Sequence, residues 1–340
     1  MCRRSYGELQ YFLHHPLLTT AHQWDAEDIE NGETSRHHAR VDTKLTVPAH
    51  AASLTLPDLL GLLELACSDD PRNRVSTWIG RPQPHPEDRV FGGLLLAQSL
   101  VAAGRTADPE QRVVSLQADF VAGVPTGGEL RWEVERVSEA PSLCTRRSRL
   151  VDDAGNELFC AVSRWARVRE DQPSYSAARP VEAPNPEGLP DLADRFADDE
   201  RIPPWWRMAR PVHFRHVEDP PYLAATGEGD RRTTFLRAAG SLPEEHVLRA
   251  ALAAYVTDMS VLEPAFVALR AARHAPGARI LSLTHALTFH AQPDLGEWHQ
   301  FDCRVESVAN GRAHGVGELF DPSGRHVATA AQVGLLKVVR

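Results

Sequence analysis

Lysine is almost missing from this 340-residue chain: it stands only at 44 and 337, and arginine supplies the rest of the 37 basic residues. Against 46 Asp and Glu the formal net charge is -9 and the pI is near 6.0. With no basic block or aromatic-studded basic stripe, this balance argues against nucleic acid or an anionic membrane as the main partner. Cysteine is sparse too. The five residues, at 2, 67, 144, 160 and 303, are odd in number and show no close pairing, which fits a reducing compartment. No signal-peptide pattern and no apolar run long enough to span a bilayer stands out, so the expectation is a cytoplasmic protein without a membrane partner. Familiar active-site signatures are also missing: there is no nucleophile elbow, zinc-protease helix, P-loop, dinucleotide fingerprint or CxxC pair. No metal or cofactor is therefore expected, and any chemistry must come from scattered residues.

An apolar content of 42% is that of a globular protein, and the length suggests about two domains. The most telling stretch is RVFGGLLLAQSLVAAG, residues 89–104, where a turn ending in Gly92 and Gly93 leads into a helix that is apolar all round. Such a helix has to be wrapped by the rest of its fold. The paired glycines either let backbone or a ligand approach the N–H groups of the first turn, or simply start a core helix.

Residues 1–50 read as a disordered or loosely attached arm, either dispensable or an over-extended gene start with the true start near Val47. Its His14, His15, His22, His37 and His38 lack Cys or carboxylate partners at ligand spacing and read as a solvated tail rather than a metal site. From Pro57 the pattern becomes regular: a short helix, a strand at 74–80, the glycine turn, the apolar helix, then strands at 113–121, 129–137, 143–151 and 157–167. A Pro- and acid-rich stretch at 171–204 reads as a linker. The order of elements then repeats. Strands are expected at 212–214 and 234–238, a capped helix over SLPEEHVLRAALAAYVTD, and strands at 279–290, 298–307, 313–320 and 326–338.

Three residues of this second copy carry chemical potential. Asp258 ends the helix near the stripe of Leu248, Ala251 and Tyr255, where an acidic group is mildly unfavourable, by ~0.3–1 kcal/mol. Gln332 falls in a strand whose two faces are both apolar or small, either a core amide or a functional one. Ser282 alternates with Thr284, Ala286 and Thr288 opposite an apolar face, a position equally consistent with exposure. A carboxylate, an amide and a hydroxyl together can orient and deprotonate one water, which suits hydrolysis of an activated acyl group.

Taken in order, VFGGLLLAQSL, SLCTRRSRL, AAYVTDMSVL, LSLTHALTFH and ATAAQVGLL resemble the TesB-like type II acyl-CoA thioesterases over roughly residues 54–339. The resemblance implies an α+β double hotdog, two tandem units that each wrap an antiparallel sheet around a long central helix. It divides the chain into the arm 1–50, a first hotdog 51–170, the linker 171–204 and a second hotdog 205–340. It further implies an acyl-CoA substrate, a homodimer or homotetramer, and a hydrolytic water held by the residues falling on Asp258, Ser282 and Gln332. Gly92, Gly93 and Thr284 are the candidate substrate contacts. Thr284, Ala286 and Ala291 depart from the Asp, Ser and Arg usual there, which bears on substrate placement. His285 and His290 are retained; either could be a general base by type, although a histidine on a strand is more often structural. Two other functions compete: an acyl-CoA binder or sensor of the same fold without hydrolase activity, and a hotdog hydratase or dehydratase. The hydratase needs a catalytic His and acid on the apolar helix, where only Gln98 and Ser99 are polar.

Overall fold

The computed structural model describes residues 53–83, 89–197, 199, 208–223 and 228–338. The expectations for residues 1–50, their histidines and a start near Val47 lie outside these. In chain order the first half comprises α1 (Leu56–Leu62), β1 (Ala66–Cys67), β2 (Val75–Gly80), α2 (Gly92–Gly104), β3 (Gln111–Phe120), β4 (Leu130–Glu139), β5 (Leu143–Val151) and β6 (Glu157–Arg167). After a short helix α3 (Leu192–Arg195) come β7 (Val212–His216), β8 (Arg231–Ala238), α4 (His246–Ser260), α5 (Glu263–Ala268), β9 (Arg279–Phe289), β10 (His299–Ala309), β11 (Arg312–Phe320) and β12 (His326–Lys337).

All twelve strands form one antiparallel sheet in the order β1-β2-β4-β5-β6-β3-β9-β12-β11-β10-β8-β7. Read outward from the β3–β9 seam, the second half repeats the first with each strand number raised by six. The seam pairs Ser115 to Asp119 with Thr288 to Thr284 and is centred on Gln117 opposite Ala286. Each seam strand carries one bulge at the same place: Val114 is skipped in the β3–β6 register and Leu283 in the β9–β12 register.

The apolar helix is wrapped as its composition requires. From Gly93 to Ala103 every residue of α2 is buried. Burying a side chain such as Leu94, Leu96 or Leu100 contributes about 1.5–3 kcal/mol. Gln98, fully buried among them, is satisfied on both ends of its amide: Nε2 donates to the Leu62 and Arg81 carbonyls at 2.9 Å, and Oε1 accepts from Trp132 Nε1 at 3.0 Å. Gln98 thus ties α1, the end of β2 and β4 to the helix. Its polar atoms are committed to structure, which removes the basis for hydratase chemistry on α2.

Three local expectations are corrected. The helix expected from Ser241 begins at His246, and Glu245, its N-cap residue, makes no side-chain cap. The Glu245 carboxylate instead pairs with Arg105 of the first half at 3.0 Å. Second, the stretch His246–Ala268 is long and apolar enough to cross a bilayer, contrary to the reading of the sequence. It is interrupted at Val261 and Leu262, and 89% of its most apolar window is buried within the fold. Third, β1, α5 and, within the stretch read as a linker, α3 were not foreseen.

The segment after β6 is fastened to the second half. Val181 N donates to Asp302 Oδ2 at 2.8 Å, and Glu187 accepts from Trp298 Nε1 at 2.8 Å while pairing with Arg215 and Arg237. Those two guanidinium groups stack over the Trp298 ring at 4.7 and 4.3 Å.

Candidate active site

Helices α2 and α4 lie antiparallel against one another. At one end the Arg105–Glu245 pair and the contact of Gly104 with Val247 bring the C-terminus of α2 to the N-terminus of α4. At the other, Gly92 and Gly93 meet the last turns of α4. A Cβ on Gly93 would overlap the Tyr255 carbonyl oxygen and the Phe91 ring, so glycine is what lets the helices approach. A Cβ on Gly92 would stand 2.6 Å from Asp258 Oδ2. Gly93 thus admits the backbone of α4, and Gly92 brings a helix N-terminus against a carboxylate.

This crossing explains the unfavourable place of Asp258. A carboxylate in the last turn of α4 opposes that helix's dipole, but the N-terminus of α2 faces it and offsets the penalty. The N-cap residue Phe91 offers no side-chain acceptor to the first turn of α2, and its carbonyl accepts from Leu94 N at 3.0 Å, which leaves the Gly92 and Gly93 N–H groups at the helix mouth.

Around Asp258 the structure gathers the other two predicted residues. Ser282 Oγ donates to Asp258 Oδ1 at 3.0 Å, and Gln332 Nε2 donates to the same oxygen at 2.9 Å and to Ser282 Oγ at 2.6 Å. Among the described residues no donor is bonded to Oδ2, the oxygen turned toward Gly92. Gln332 is 2% exposed, so it is a core amide in position, and its neighbours make it a member of the cluster as well.

Ser282 reaches the cluster because of the bulge at Leu283. Strict alternation groups it with Thr284, Ala286 and Thr288, away from the core. The extra residue reverses the phase, so Ser282 shares a face with His285, which pairs across the strands with Gln332. Thr284 is not brought in. It lies on the opposite face of β9, beside Asp119 of β3, and Ala286 shares that face next to Gln117. A substrate contact at Thr284 is therefore not supported by its placement, and the departures at 284 and 286 fall away from the cluster.

Reading the sequence weighed His285 by type alone and missed Thr257, the two neighbours that complete the network. His285, 1% exposed, places Nδ1 3.0 Å from Gln332 Oε1 and Nε2 3.2 Å from Thr257 Oγ1. The Gln332 amide must turn its NH2 to the carboxylate, so Oε1 faces His285 and Nδ1 carries an imidazole proton, while Thr257 Oγ1 lies between Nε2 and the Ala254 carbonyl oxygen, 3.1 Å away. Burial pushes the imidazole below its ordinary range despite the opposing pull of Asp258 and Gln332. Two polar residues on core-facing positions of adjacent strands were the available signal. Tyr255, one turn before Asp258, packs edge-on against Phe91 and donates to Gln83 Oε1 at 3.2 Å.

The duplication yields a mirrored position in the first half, and it is filled. Counted from the bulges, Val113 corresponds to Ser282, Leu116 to His285, Ser163 to Gln332 and Trp165 to Gly334. Trp165 is buried, donates to Ser163 Oγ at 2.9 Å, and comes within 2.7 Å of where a Cβ on Gly104 would stand. An indole thus occupies the space that the second half keeps for polar side chains. Among the described residues no group of His, Cys, Asp and Glu has the arrangement of a metal site.

Comparison with known proteins follows the same division. Models of the acyl-CoA thioesterase N-terminal domain and of the acyl-CoA thioesterase C-terminal domain match residues 81–166 and 181–336. Acyl-coenzyme A thioesterase 8 of Homo sapiens is 24% identical over 274 residues, 76% of this chain and 84% of that protein. Acyl-CoA thioesterase 2 of Haemophilus influenzae is 24% identical over 294 residues, 83% of this chain and 98% of that one. Among solved structures, the tesB protein of Mycobacterium avium subspecies paratuberculosis matches with a TM-score of 0.67 at 25% identity, over 83% of this chain and 100% of that one. An acyl-CoA thioesterase II of Mycobacterium marinum matches with a TM-score of 0.66, also at 25% identity, over 83% of this chain and 98% of that one. A sheet that folds twice around a buried helix, with this two-domain match, defines a thioesterase of the double-hotdog class. Within that class the chain belongs to the TesB-like type II acyl-CoA thioesterases.

Proposed function

We propose that this protein hydrolyses acyl-CoA thioesters to the free acid and CoA by direct attack of water, with Asp258 as general base. The observation that carries the reading is the Asp258–Ser282–Gln332 triangle set against the N-terminus of α2. Two hydrogen bonds on Oδ1 turn Oδ2 toward the helix mouth, where a water and a thioester carbonyl can meet. Asp258 takes a proton as the water oxygen bonds to the carbonyl carbon. The N–H groups of the first turn of α2 stabilise the negative charge that builds on the carbonyl oxygen. Collapse breaks the C–S bond, and the CoA thiolate leaves and takes up the proton. Both amide hydrogens of Gln332 are engaged by Asp258 and Ser282, so in this arrangement Gln332 and Ser282 act on the water through the carboxylate they hold.

The test is thiol release from a panel of acyl-CoAs by wild type, Ser282→Ala and Gln332→Met. Turnover on at least one chain length, and a kcat reduced about tenfold or more in each folded variant, supports the reading. Stoichiometric binding of acyl-CoA with no thiol release at any chain length would instead identify a binder.

A further inference from the structure

We propose that His285 is a positioning residue for hydrolysis: clamped between Thr257 and Gln332, it holds the oxygen of the Gln332 amide inward, reinforces the orientation that keeps the NH2 on Asp258, and thereby steadies where the carboxylate points. The proposal rests on the reading of Asp258 as the base. A carboxamide has nearly the same shape with its oxygen and nitrogen exchanged, so packing alone does not choose between the two orientations. In one, the NH2 group meets Asp258 Oδ1 and Ser282 Oγ. In the other, the amide oxygen would face the carboxylate, and the hold on Oδ1 would be lost.

Asp258 and Ser282 take the NH2 on one side, and the amide oxygen is held on the other. His285 Nδ1 lies 3.0 Å from Gln332 Oε1, and a ring carrying its proton on Nδ1 bonds only an oxygen there. Thr257 Oγ1 lies 3.2 Å from Nε2 and 3.1 Å from the Ala254 carbonyl oxygen, so its single proton serves these two acceptors and the hydroxyl holds the far edge of the ring in place. Thr257 immediately precedes Asp258 on α4, so the imidazole also ties the turn that carries the base to the strand pair carrying Ser282 and Gln332. The first half provides an internal contrast. At the matching position it has Leu116 opposite Ser163, whose hydroxyl is taken by Trp165, and no amide needs orienting. Histidine stands where the amide stands, and leucine fits the same register where it does not.

The experiment compares full-length His285→Leu and His285→Asn with wild type by steady-state thiol release and thermal melting. Stranding the buried Gln332 oxygen in His285→Leu is expected to lower kcat about tenfold to a hundredfold, with KM within about twofold of wild type. His285→Asn, which can return an N–H donor near the Nδ1 position, is expected to recover most of that loss. A wild-type kcat in folded His285→Leu, or an Asn variant no faster than the Leu variant at equal Tm, overturns the proposal. Should His285→Leu fail to fold, Thr257→Val carries the test. A kcat lowered severalfold at unchanged KM and Tm supports the clamp, and an unchanged kcat overturns it. Asp258→Asn, assayed alongside, separates the two levels. If it keeps its turnover, the catalytic reading itself fails; if it is inactive while His285→Leu is fully active, only the positioning role fails.

Discussion

Adding a single methyl group at Gly92 or at Gly93 should have opposite consequences, because the two glycines face different things. At Gly92 a Cβ would stand 2.6 Å from Asp258 Oδ2 and 2.9 Å from a ring carbon of Phe120. With ordinary C···O contacts of about 3.3 Å, the carboxylate must withdraw by about 0.7 Å. It would then pull on the bonds of 3.0 and 2.9 Å that Ser282 and Gln332 make to Oδ1. Since a displacement near 1 Å can cost about a hundredfold, Gly92→Ala should lower kcat about tenfold to a hundredfold. The colliding atoms are the ends of side chains that can move, and alanine is the better helix former by about 0.5–1 kcal/mol, so stability should change by less than about 1 kcal/mol. At Gly93 the obstacle is the Tyr255 carbonyl oxygen, which is backbone, together with the Phe91 ring. Relief there requires α2 to move off α4, an overpacking cost of about 1–3 kcal/mol. Urea unfolding and thiol-release kinetics on both variants decide the matter. Wild-type turnover in Gly92→Ala, or wild-type stability in Gly93→Ala, would refute the close helix crossing on which the site depends.

Other expectations follow from buried polar groups. Arg146 is fully buried, with Nε donating to Thr106 Oγ1 at 2.7 Å, Nη2 to the Thr106 carbonyl at 2.8 Å, and Nη1 to the Ser138 carbonyl at 3.2 Å, so it pins the exit of α2 to the sheet. Arg146→Met should lose about 1–3 kcal/mol in urea unfolding, as expected when the buried Thr106 and Ser138 oxygens are left without their donor; an unchanged stability would contradict that role. His246 and His274 are each pushed by burial, with Arg112 and Arg273 adding to it, from an ordinary 6.5 to about 4. Between those values the unfolded chain binds more protons than the folded one, so stability is complete above pH 6.5 and falls as pH drops toward about 4. Unfolding free energies at pH 7 and 5 should differ in that direction, and His246→Phe should narrow the gap; equal values at both pH would remove the histidines from the account.

The architecture was legible where periodicity and burial coincide. A helix apolar on all faces, strands separated by glycine- and proline-bearing turns, and a repeated order of elements correspond to α2, the strands of both halves and the mirrored sheet. Less was visible where one residue alters a phase or where distant backbone meets. Nothing in LSLTHALTF announces that Leu283 bulges, so alternation left Ser282 ambiguous although its hydroxyl reaches Asp258. The approach of Gly92 to Asp258 joins residues far apart in sequence, and only the antiparallel crossing of α2 and α4 creates it. Trp165 reads as one more core aromatic until the register shows that its counterpart in the second half is Gly334. His285 was noticed as a residue type, but its partner Gln332 lies across a strand pair whose register the sequence alone does not specify.

The most direct test of the central claim is the turnover of Asp258→Asn. Asparagine keeps the size of the side chain and an acceptor for Ser282 or Gln332, so the variant should melt near wild type and still bind acyl-CoA. Without a base its kcat for thiol release should fall by about 10²–10⁴-fold at any pH where wild type is active. A folded Asp258→Asn protein that releases CoA at the wild-type rate would contradict the account.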